Sequence, residues 1–140
     1  MPIDADIATP SRVVAVFEPM WDEASMLRLT VLLARCQLRP VACYATDQAP
    51  AAVKQQLADI AAVAVVWDVS PVTSSACAVL ESLLEASTFQ PFRLFVTTTH
   101  AAGLLDHFGR RSDGFVIFQK PYDLELLSAA LARAVDVRGD

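Results

Sequence analysis

The chain has 140 residues and a formal net charge of −5 at pH 7, with a mass of 15.1 kDa and a sequence pI of about 4.9. This length predicts a single domain, and the acidic balance argues against a nucleic-acid-binding surface. Hydrophobic residues make up 54% of the chain and charged residues 19%, which excludes a disordered protein, and no apolar run reaches the roughly 18 residues of a membrane span.

Apolar residues alternate along the chain between short continuous runs, typical of buried strands, and stripes at helical spacing. Proline, glycine and cap residues separate these segments, and Asp22, Glu23 or Ser25 is the expected cap of the first helix. In chain order, we predict a strand at 12–17, a helix ending at Arg39-Pro40, a strand at 41–44, a helix around 53–60, a strand at 62–67, a helix at 76–86, a strand at 92–96, a helix at 101–108, a strand at 115–118 and a helix after Asp123.

Five strands that alternate with five helices predict an α/β fold. The expected architecture is a doubly wound, five-stranded parallel sheet with right-handed crossovers, a (βα)5 arrangement. We place the domain at residues 12–137, after a polar leader at 1–11 and before a short tail at 138–140.

The cysteines and the start of the chain favour a cytoplasmic protein. The leader is acidic and lacks the pattern of a signal peptide. The cysteines, Cys36, Cys43 and Cys77, are odd in number and lack metal-ligand spacing. We expect them to be small core residues in a reducing compartment.

Three predicted strands end in a polar residue. Asp68 follows the run at 62–67, Thr97 follows the run at 92–96, and Lys120 comes shortly after the run at 115–118. Because the carboxyl ends of parallel strands meet at one edge, we expect these side chains to lie close together. An acid, a hydroxyl and a lysine at that edge are suited to accept, hydrogen-bond and neutralise a phosphoryl group.

This order of elements and residues resembles the receiver domain of two-component response regulators, which has a flavodoxin-like fold. The resemblance assigns Asp68 as phosphoacceptor, Thr97 (or Thr98) as the hydroxyl residue of strand four, and Lys120 of Lys-Pro-Tyr as the strand-five lysine. It implies a signalling domain, not an enzyme, with a histidine kinase or phosphotransfer protein as one partner and a downstream protein as the other. It implies Mg²⁺ as cofactor and no nucleic acid or membrane as partner.

The metal-binding acids depart from the family pattern. The family ends strand one with two adjacent acids, whereas this chain has Phe17 followed by Glu18. A weakened Mg²⁺ site is expected from Glu18, Asp68 and the backbone carbonyl near Ser70. The lengthened connection after strand one carries Asp22 and Glu23, and either could replace the missing acid.

Two further departures concern the switch from phosphorylation to output. Pro71 comes three residues after Asp68, where the family usually has it at four. Ile117 occupies the position of the family's rotating aromatic residue, with Phe115 and Phe118 on either side. The usual aromatic relay is therefore not expected here.

Each candidate residue also has a structural alternative. Asp68 could cap the loop that follows its strand, and Lys120 could pair with Asp68 without any phosphate. Thr97 could cap the fourth helix, and Glu18 could be a solvated turn carboxylate.

Two functions remain open, and a third is disfavoured. The first is a phosphorylated receiver; the second is a pseudo-receiver that acts as a protein-interaction or dimerisation module, with a homodimer forming through helix four, strand five and helix five. A flavodoxin-like enzyme or cofactor binder is disfavoured, because the four glycines form no phosphate-binding loop.

Overall fold

The computed structural model describes residues 12–18, 21–43, 50–70, 72–87 and 92–139. The predicted leader, Pro19 and Pro71 lie outside the described residues. The elements are β1 (Arg12–Phe17), α1 (Glu23–Ala34), β2 (Leu38–Ala42), α2 (Pro50–Asp59), β3 (Ala64–Asp68), α3 (Ser74–Ala86), β4 (Arg93–Thr98), α4 (Ala101–Phe108), a 3-10 helix (Gly109–Gly114), β5 (Val116–Gln119) and α5 (Leu124–Gly139).

The strands form a single parallel sheet in the order β2-β1-β3-β4-β5. This is the doubly wound α/β fold that the alternating pattern predicts, so the predicted fold class is confirmed. The strand order reverses beside β1, which lies between β2 and β3. Ligand sites in such sheets lie beyond the carboxyl ends of the strands at this switch point.

Alternate residues of the strands bury two separate cores, one on each face of the sheet. On one face, Val65 and Val96 pack with helices α2, α3 and α4. On the other face, Val14, Val66 and Phe95 pack with α1 and α5. Because both faces are covered, the central strands carry continuous apolar runs.

The first helix begins where one of the three candidate caps lies. Asp22 is the N-cap of α1, and its side chain accepts a hydrogen bond from the Ser25 amide at 2.8 Å. This bond satisfies an amide that the helix itself leaves unpaired. It also lowers the pKa of Asp22, because a hydrogen bond to the carboxylate favours its charged form.

The second strand is present as predicted, but its bounds and the end of the helix before it differ from the prediction. The first helix ends at Ala34, and β2 already begins at Leu38, so Arg39 and Pro40 belong to the strand. Gln37 makes the turn with a φ of 58°, which the helical pattern did not signal. Pro40 is tolerated because β2 is an edge strand of the described sheet, and no described strand pairs with its outer side.

Other boundaries shift by one or two residues. β4 continues through Thr98, so Thr97 and Thr98 belong to the strand and not to the loop after it. β5 is displaced by one residue, and α5 runs through Gly139, past the expected domain limit at 137.

In the described part of the chain, Cys77 is buried and all three cysteines are free thiols. None of the helices described is long and apolar enough to cross a membrane.

Candidate functional site

Four strands bring one polar side chain each to the carboxyl edge of the sheet. Glu18 directly follows β1, Asp68 ends β3, and Thr97 lies beside Asp68 in the register of β3 and β4. The Lys120 amide continues the pairing of β5 by donating to the Thr98 carbonyl at 2.7 Å. We call Glu18, Asp68, Thr97 and Lys120 the acidic cluster.

The Lys120 ammonium joins the two carboxylates. Its Nζ lies 2.6 Å from Glu18 Oε1 and 2.7 Å from Asp68 Oδ1. The Thr97 hydroxyl lies 2.7 Å from Glu18 Oε2 and 3.1 Å from Asp68 Oδ1. A hydroxyl has a single hydrogen, and the shorter distance indicates that it is donated to Glu18.

The cluster is largely shielded from solvent. The Glu18 side chain has no exposed surface, and those of Asp68 and Lys120 are 7% and 18% exposed. A buried carboxylate requires a partner, and Glu18 receives one hydrogen bond on each oxygen, from Lys120 and Thr97. The alternative that Glu18 is a solvated turn carboxylate is therefore wrong.

The charges of the cluster do not cancel. Glu18 and Asp68 contribute two negative charges against one positive charge of Lys120, which leaves a net charge of about −1. Burial alone would lower the pKa of Lys120, but its hydrogen bonds to Asp68 and Glu18, together with their charges, raise the pKa overall. Lys120 is thus held in its charged form, as is required to balance the two acids.

Ser70 extends the network into the loop after β3. Its hydroxyl donates to Asp68 Oδ1 at 3.1 Å and accepts a hydrogen bond from the Thr99 amide at 3.1 Å. Each described contact of Asp68 thus falls on Oδ1, from Lys120, Thr97 and Ser70. Asp68 is thus linked to this loop through the Ser70 hydroxyl, and none of its described side-chain contacts is to a backbone amide of the loop.

The two threonines of β4 have different contacts. Thr97 faces the acidic cluster, whereas the Thr98 hydroxyl accepts a hydrogen bond from the His100 amide at 3.1 Å. The fourth helix has His100 as its N-cap, without a side-chain capping bond. Of the two candidates, Thr97 is the one that contacts the acids, and the alternative that it caps this helix is wrong.

The donor set of the cluster fits a magnesium ion only in part. Glu18 and Asp68 supply the one or two carboxylates that Mg²⁺ usually takes from a protein. Among the described residues, no group of three or more His, Cys, Asp or Glu side chains could hold a metal. Asp22 is used to cap its own helix and Glu23 is exposed, and neither has a described contact with the cluster.

A surface cavity of about 530 Å³, open to solvent, lies beside the acidic cluster. Trp21, Pro121, Tyr122 and Leu124 form its apolar walls, and Glu18 and Lys120 also line it. We call it the aromatic cavity. The cavity arises where the start of α1 approaches the connection between β5 and α5, and sequence reasoning did not predict it. Its signals in the sequence are Trp21, in the lengthened connection after strand one, and Tyr122, the aromatic residue after Lys120-Pro121.

The Tyr122 hydroxyl is the one buried side-chain oxygen or nitrogen in the described residues that has no hydrogen-bond partner. Its ring packs edge-on against Phe118, with 5.7 Å between ring centroids. Burial raises the pKa of Tyr122 far above its ordinary value, and the negative charges of Glu18 and Asp68 add to this effect. The Trp21 side chain lowers this pKa in part. The indole and the Tyr122 hydroxyl nevertheless do not form a hydrogen bond of regular geometry.

Ile117, at the position of the family's aromatic residue, packs against the core formed with α2, α3 and α4. The flanking Phe115 is buried and makes an edge-on contact with Phe108, with 5.4 Å between centroids. Neither residue adjoins the acidic cluster through a described hydrogen bond or ring contact.

Solved structures with the same fold are response-regulator receivers and related proteins. A response regulator from Thermotoga maritima has a TM-score of 0.63 and 14% identity, over 90% of this chain and 98% of that chain. A CheY-like receiver domain protein from Methanospirillum hungatei JF-1 has a TM-score of 0.61 and 15% identity, over 93% and 97%. A sensor protein from Polaromonas sp. JS666 has a TM-score of 0.65 and 19% identity, over 91% and 98%.

No protein-family model and no curated protein matches the chain significantly. At these identities the structural similarity establishes the fold alone. The chain therefore has the flavodoxin-like fold of receiver domains along most of its length.

Proposed function

We propose that this chain is a signalling receiver domain in which Asp68 accepts a phosphoryl group from the phosphohistidine of a partner kinase or phosphotransfer protein. One observation carries the proposal: Asp68 ends β3 at the switch point of the sheet, within hydrogen-bond distance of both Lys120 and Thr97. The receiver fold of the structural neighbours supports it.

The proposed reaction is a transfer from nitrogen to oxygen. A carboxylate oxygen of Asp68 attacks phosphorus, the P–N bond breaks, and its electron pair returns to the imidazole nitrogen, which is left neutral or takes a proton from water. The product is an acyl phosphate on Asp68. The reaction requires donors that stabilise the equatorial phosphoryl oxygens, where charge is concentrated.

Lys120 and Thr97 are the residues suited to that task. An ammonium has three N–H donors, and two of them are directed at Glu18 and Asp68. The third is available for a phosphoryl oxygen, and the Thr97 hydroxyl lies near enough to rotate towards one.

Glu18, Asp68 and the backbone carbonyl at Ser70 are the groups that would hold Mg²⁺. The ion, when bound, offsets the charge that the phosphoryl group brings into an already negative cluster. Because only two carboxylates contribute, we expect weak magnesium affinity.

The output face is proposed to lie on α4, β5 and α5. Each of these elements has a large apolar side chain at its surface, with Leu105 46% exposed, Val116 42% and Leu126 63%. Exposed apolar side chains on adjoining elements are suited to bind a downstream protein or a second copy of the chain. Formation of the acyl phosphate would change the affinity of this face.

A second candidate is the pseudo-receiver, and one observation favours it. Lys120 already joins both carboxylates, so the acidic cluster is held together without a phosphoryl group. Such a domain would bind its partner through the same fold without phosphoryl chemistry, and loss of the Asp68 carboxylate would leave partner binding intact.

A measurement of the intact mass of the protein distinguishes the phosphorylated receiver from the pseudo-receiver. The protein is incubated with a small phosphodonor such as acetyl phosphate, with and without Mg²⁺, as wild type, as Asp68→Asn and as Asp59→Asn. The last variant is a matched control, because Asp59 is exposed at the end of α2, before the start of β3, where it accepts a hydrogen bond from Gln55. A Mg²⁺-dependent phosphoryl adduct on wild type and Asp59→Asn, but not on Asp68→Asn, supports the receiver. Absence of any adduct supports the pseudo-receiver.

A further inference from the structure

The helix α1 carries apolar side chains on two sides. Leu29 and Leu33 are buried in the core that α1 and α5 form with the sheet, as is usual for a surface helix. Leu27 and Val31 lie on the opposite side and are 66% and 58% exposed. They are neighbours on that side, because residues four apart in a helix lie one above the other. Since a surface helix usually has polar residues there, this second apolar side is suited to contact with another molecule.

The exposed apolar residues have the spacing of a coiled-coil interface. Ala24, Leu27, Val31 and Ala34 follow one another at intervals of three, four and three residues, and all four are exposed. We call these four residues the α1 seam. Their spacing is that of the a and d positions of a heptad, at which two helices pack against each other. Val31 is at an a position and Leu27 at a d position, the combination that favours a pair of parallel helices. The α1 seam is therefore suited to pack against a second copy of itself.

The charged residues beside the seam select the orientation of the two helices. Glu23 precedes Ala24 and Arg28 follows Leu27, which places them at the g and e positions that flank a seam. In a parallel pair, position g of one helix lies beside position e of the other, so Glu23 meets Arg28 of the second copy on both sides of the seam. In an antiparallel pair the e positions share a side, and Arg28 would meet Arg35, the next residue at e. The charges therefore favour the parallel pair.

Both charged groups can be reached from outside the chain. Glu23 is exposed and has no hydrogen bond or ion pair among the described residues. The Arg28 side chain is 55% exposed, and its contact with Glu125 is made by one nitrogen, Nη2, at 2.6 Å. Because a guanidinium group has five N–H donors, Arg28 retains donors for a second carboxylate.

We propose that the α1 seam joins two copies of this chain as a two-fold symmetric pair of parallel α1 helices. A pair of 12-residue helices covers less than the roughly 1,200 Å² of a standard interface, so the dissociation constant should be on the order of micromolar or weaker. This surface is distinct from the output face on α4, β5 and α5. The pairing is independent of phosphorylation, because it uses no residue of the acidic cluster.

The test measures self-association of the full chain by sedimentation velocity, under reducing conditions and at protein concentrations from about 10 μM to about 1 mM. The wild type should show a reversible equilibrium between monomer and dimer. Leu27→Glu places a charge inside the seam and should weaken the dimer at least about tenfold. Leu126→Glu is the matched control, because Leu126 is a similarly exposed leucine on α5, at 63%; its dissociation constant should equal that of wild type. The melting temperature of each variant shows that the chain remains folded.

Charge reversal tests the parallel orientation. Glu23→Arg and Arg28→Glu each place like charges opposite one another on both sides of the seam, and each alone should weaken self-association about fivefold. When the two variants are mixed in equal amounts, every residue at position 23 of one meets an opposite charge at position 28 of the other. The mixture should therefore form heterodimers with an affinity close to that of the wild-type dimer.

Three results would overturn the proposal. A wild-type protein that stays monomeric over the whole concentration range would show that the α1 seam does not pair. A dimer that is weakened by Leu126→Glu and not by Leu27→Glu would place the pairing on the output face. Heterodimers no tighter than the dimers of either charge-reversed variant would exclude the parallel orientation. Failure of Asp68 phosphorylation would affect none of these measurements, so the two proposals are tested separately.

Discussion

The acidic cluster and the aromatic cavity share Glu18 and Lys120 but satisfy their polar groups differently. In the cluster, each oxygen of Glu18 receives a hydrogen bond of 2.6 or 2.7 Å. In the cavity, the buried Tyr122 hydroxyl has no described partner. Both oxygens of the buried Glu18 carboxylate thus have hydrogen-bond partners within the folded protein, whereas the Tyr122 hydroxyl has none among the described residues.

This difference indicates which side chains at the edge stabilise the fold through bonds already formed and which do not. Substitutions in the cluster break existing bonds next to buried charge and should destabilise the fold. Removing the Tyr122 hydroxyl breaks no described bond and should cost nothing in the free protein. The predictions below test this distinction, from the largest expected effect to the smallest.

The largest effect is expected for Lys120→Met. The variant leaves Glu18 and Asp68 buried together without their shared ammonium, and removing one partner of a buried charge network costs about 3 kcal/mol. Urea unfolding at pH 7 measures this loss of unfolding free energy. A second variant, Lys120→Met with Glu18→Gln, should recover part of the loss, because one of the uncompensated charges is gone.

The control is Arg28→Met. Arg28 lies 2.6 Å from Glu125 across α1 and α5, but the two side chains are 55% and 61% exposed. Exposed ion pairs contribute less than about 1 kcal/mol. Equal losses in Lys120→Met and Arg28→Met would contradict the view that the cluster is a buried, stabilising network.

Thr97→Val should have the next largest effect. Valine keeps the shape of threonine but removes the hydroxyl that donates to Glu18 at 2.7 Å. A hydrogen bond to a charged group contributes about 2 kcal/mol, and one between neutral groups about 1 kcal/mol. Thr98→Val is the matched control, because this buried hydroxyl bonds only to the neutral His100 amide in the described residues. A larger loss in Thr98→Val than in Thr97→Val would contradict the assignment.

The strand ends of this site could be predicted from the sequence, because the carboxyl edge of a parallel sheet follows from the alternating pattern alone. Asp68, Thr97 and Lys120 each come at or shortly after a continuous apolar run, and the structure brings them within hydrogen-bond distance of one another or of Glu18. The choice of Thr97 over Thr98 required the register of β3 and β4, which pairs Asp68 with Thr97.

Other features depend on tertiary contacts that no local pattern encodes. The complete burial of Glu18 follows from the approach of Thr97 and Lys120, 79 and 102 residues away in sequence. Pro40 was misread as a helix stop because the turn before it relies on a positive φ at Gln37, which is unusual for a residue with a side chain. The aromatic cavity depends on Trp21 and Tyr122 meeting from opposite ends of the chain.

Alkaline unfolding should distinguish Tyr122→Phe from wild type. The pKa of Tyr122 is raised in the folded protein above its ordinary value of 10.0, so the stability contributed by its neutral form is complete below pH 10 and is lost as the pH rises further. The variant has no such group, so its unfolding free energy should exceed that of wild type by a margin that grows above pH 10, by at most about 1.4 kcal/mol per pH unit. The pKa of Lys120 is also raised, but this residue is present in both proteins, so its contribution to the pH dependence cancels in the difference between them. Parallel pH curves from pH 9 to 11.5 would contradict the burial of the hydroxyl.

The smallest effect is expected for the same variant at pH 7. Because the Tyr122 hydroxyl has no described partner, Tyr122→Phe loses no hydrogen bond and removes a desolvated polar group, so the unfolding free energy should stay the same or rise by up to about 1 kcal/mol. Urea unfolding of Tyr122→Phe and Thr97→Val under the same conditions compares the two sites directly. Both variants lose one buried hydroxyl, and only Thr97→Val, in the acidic cluster, should be destabilised. A loss above about 1 kcal/mol in Tyr122→Phe would mean that the hydroxyl has a partner in the folded protein, such as an ordered water, and that the cavity is as complete as the cluster beside it.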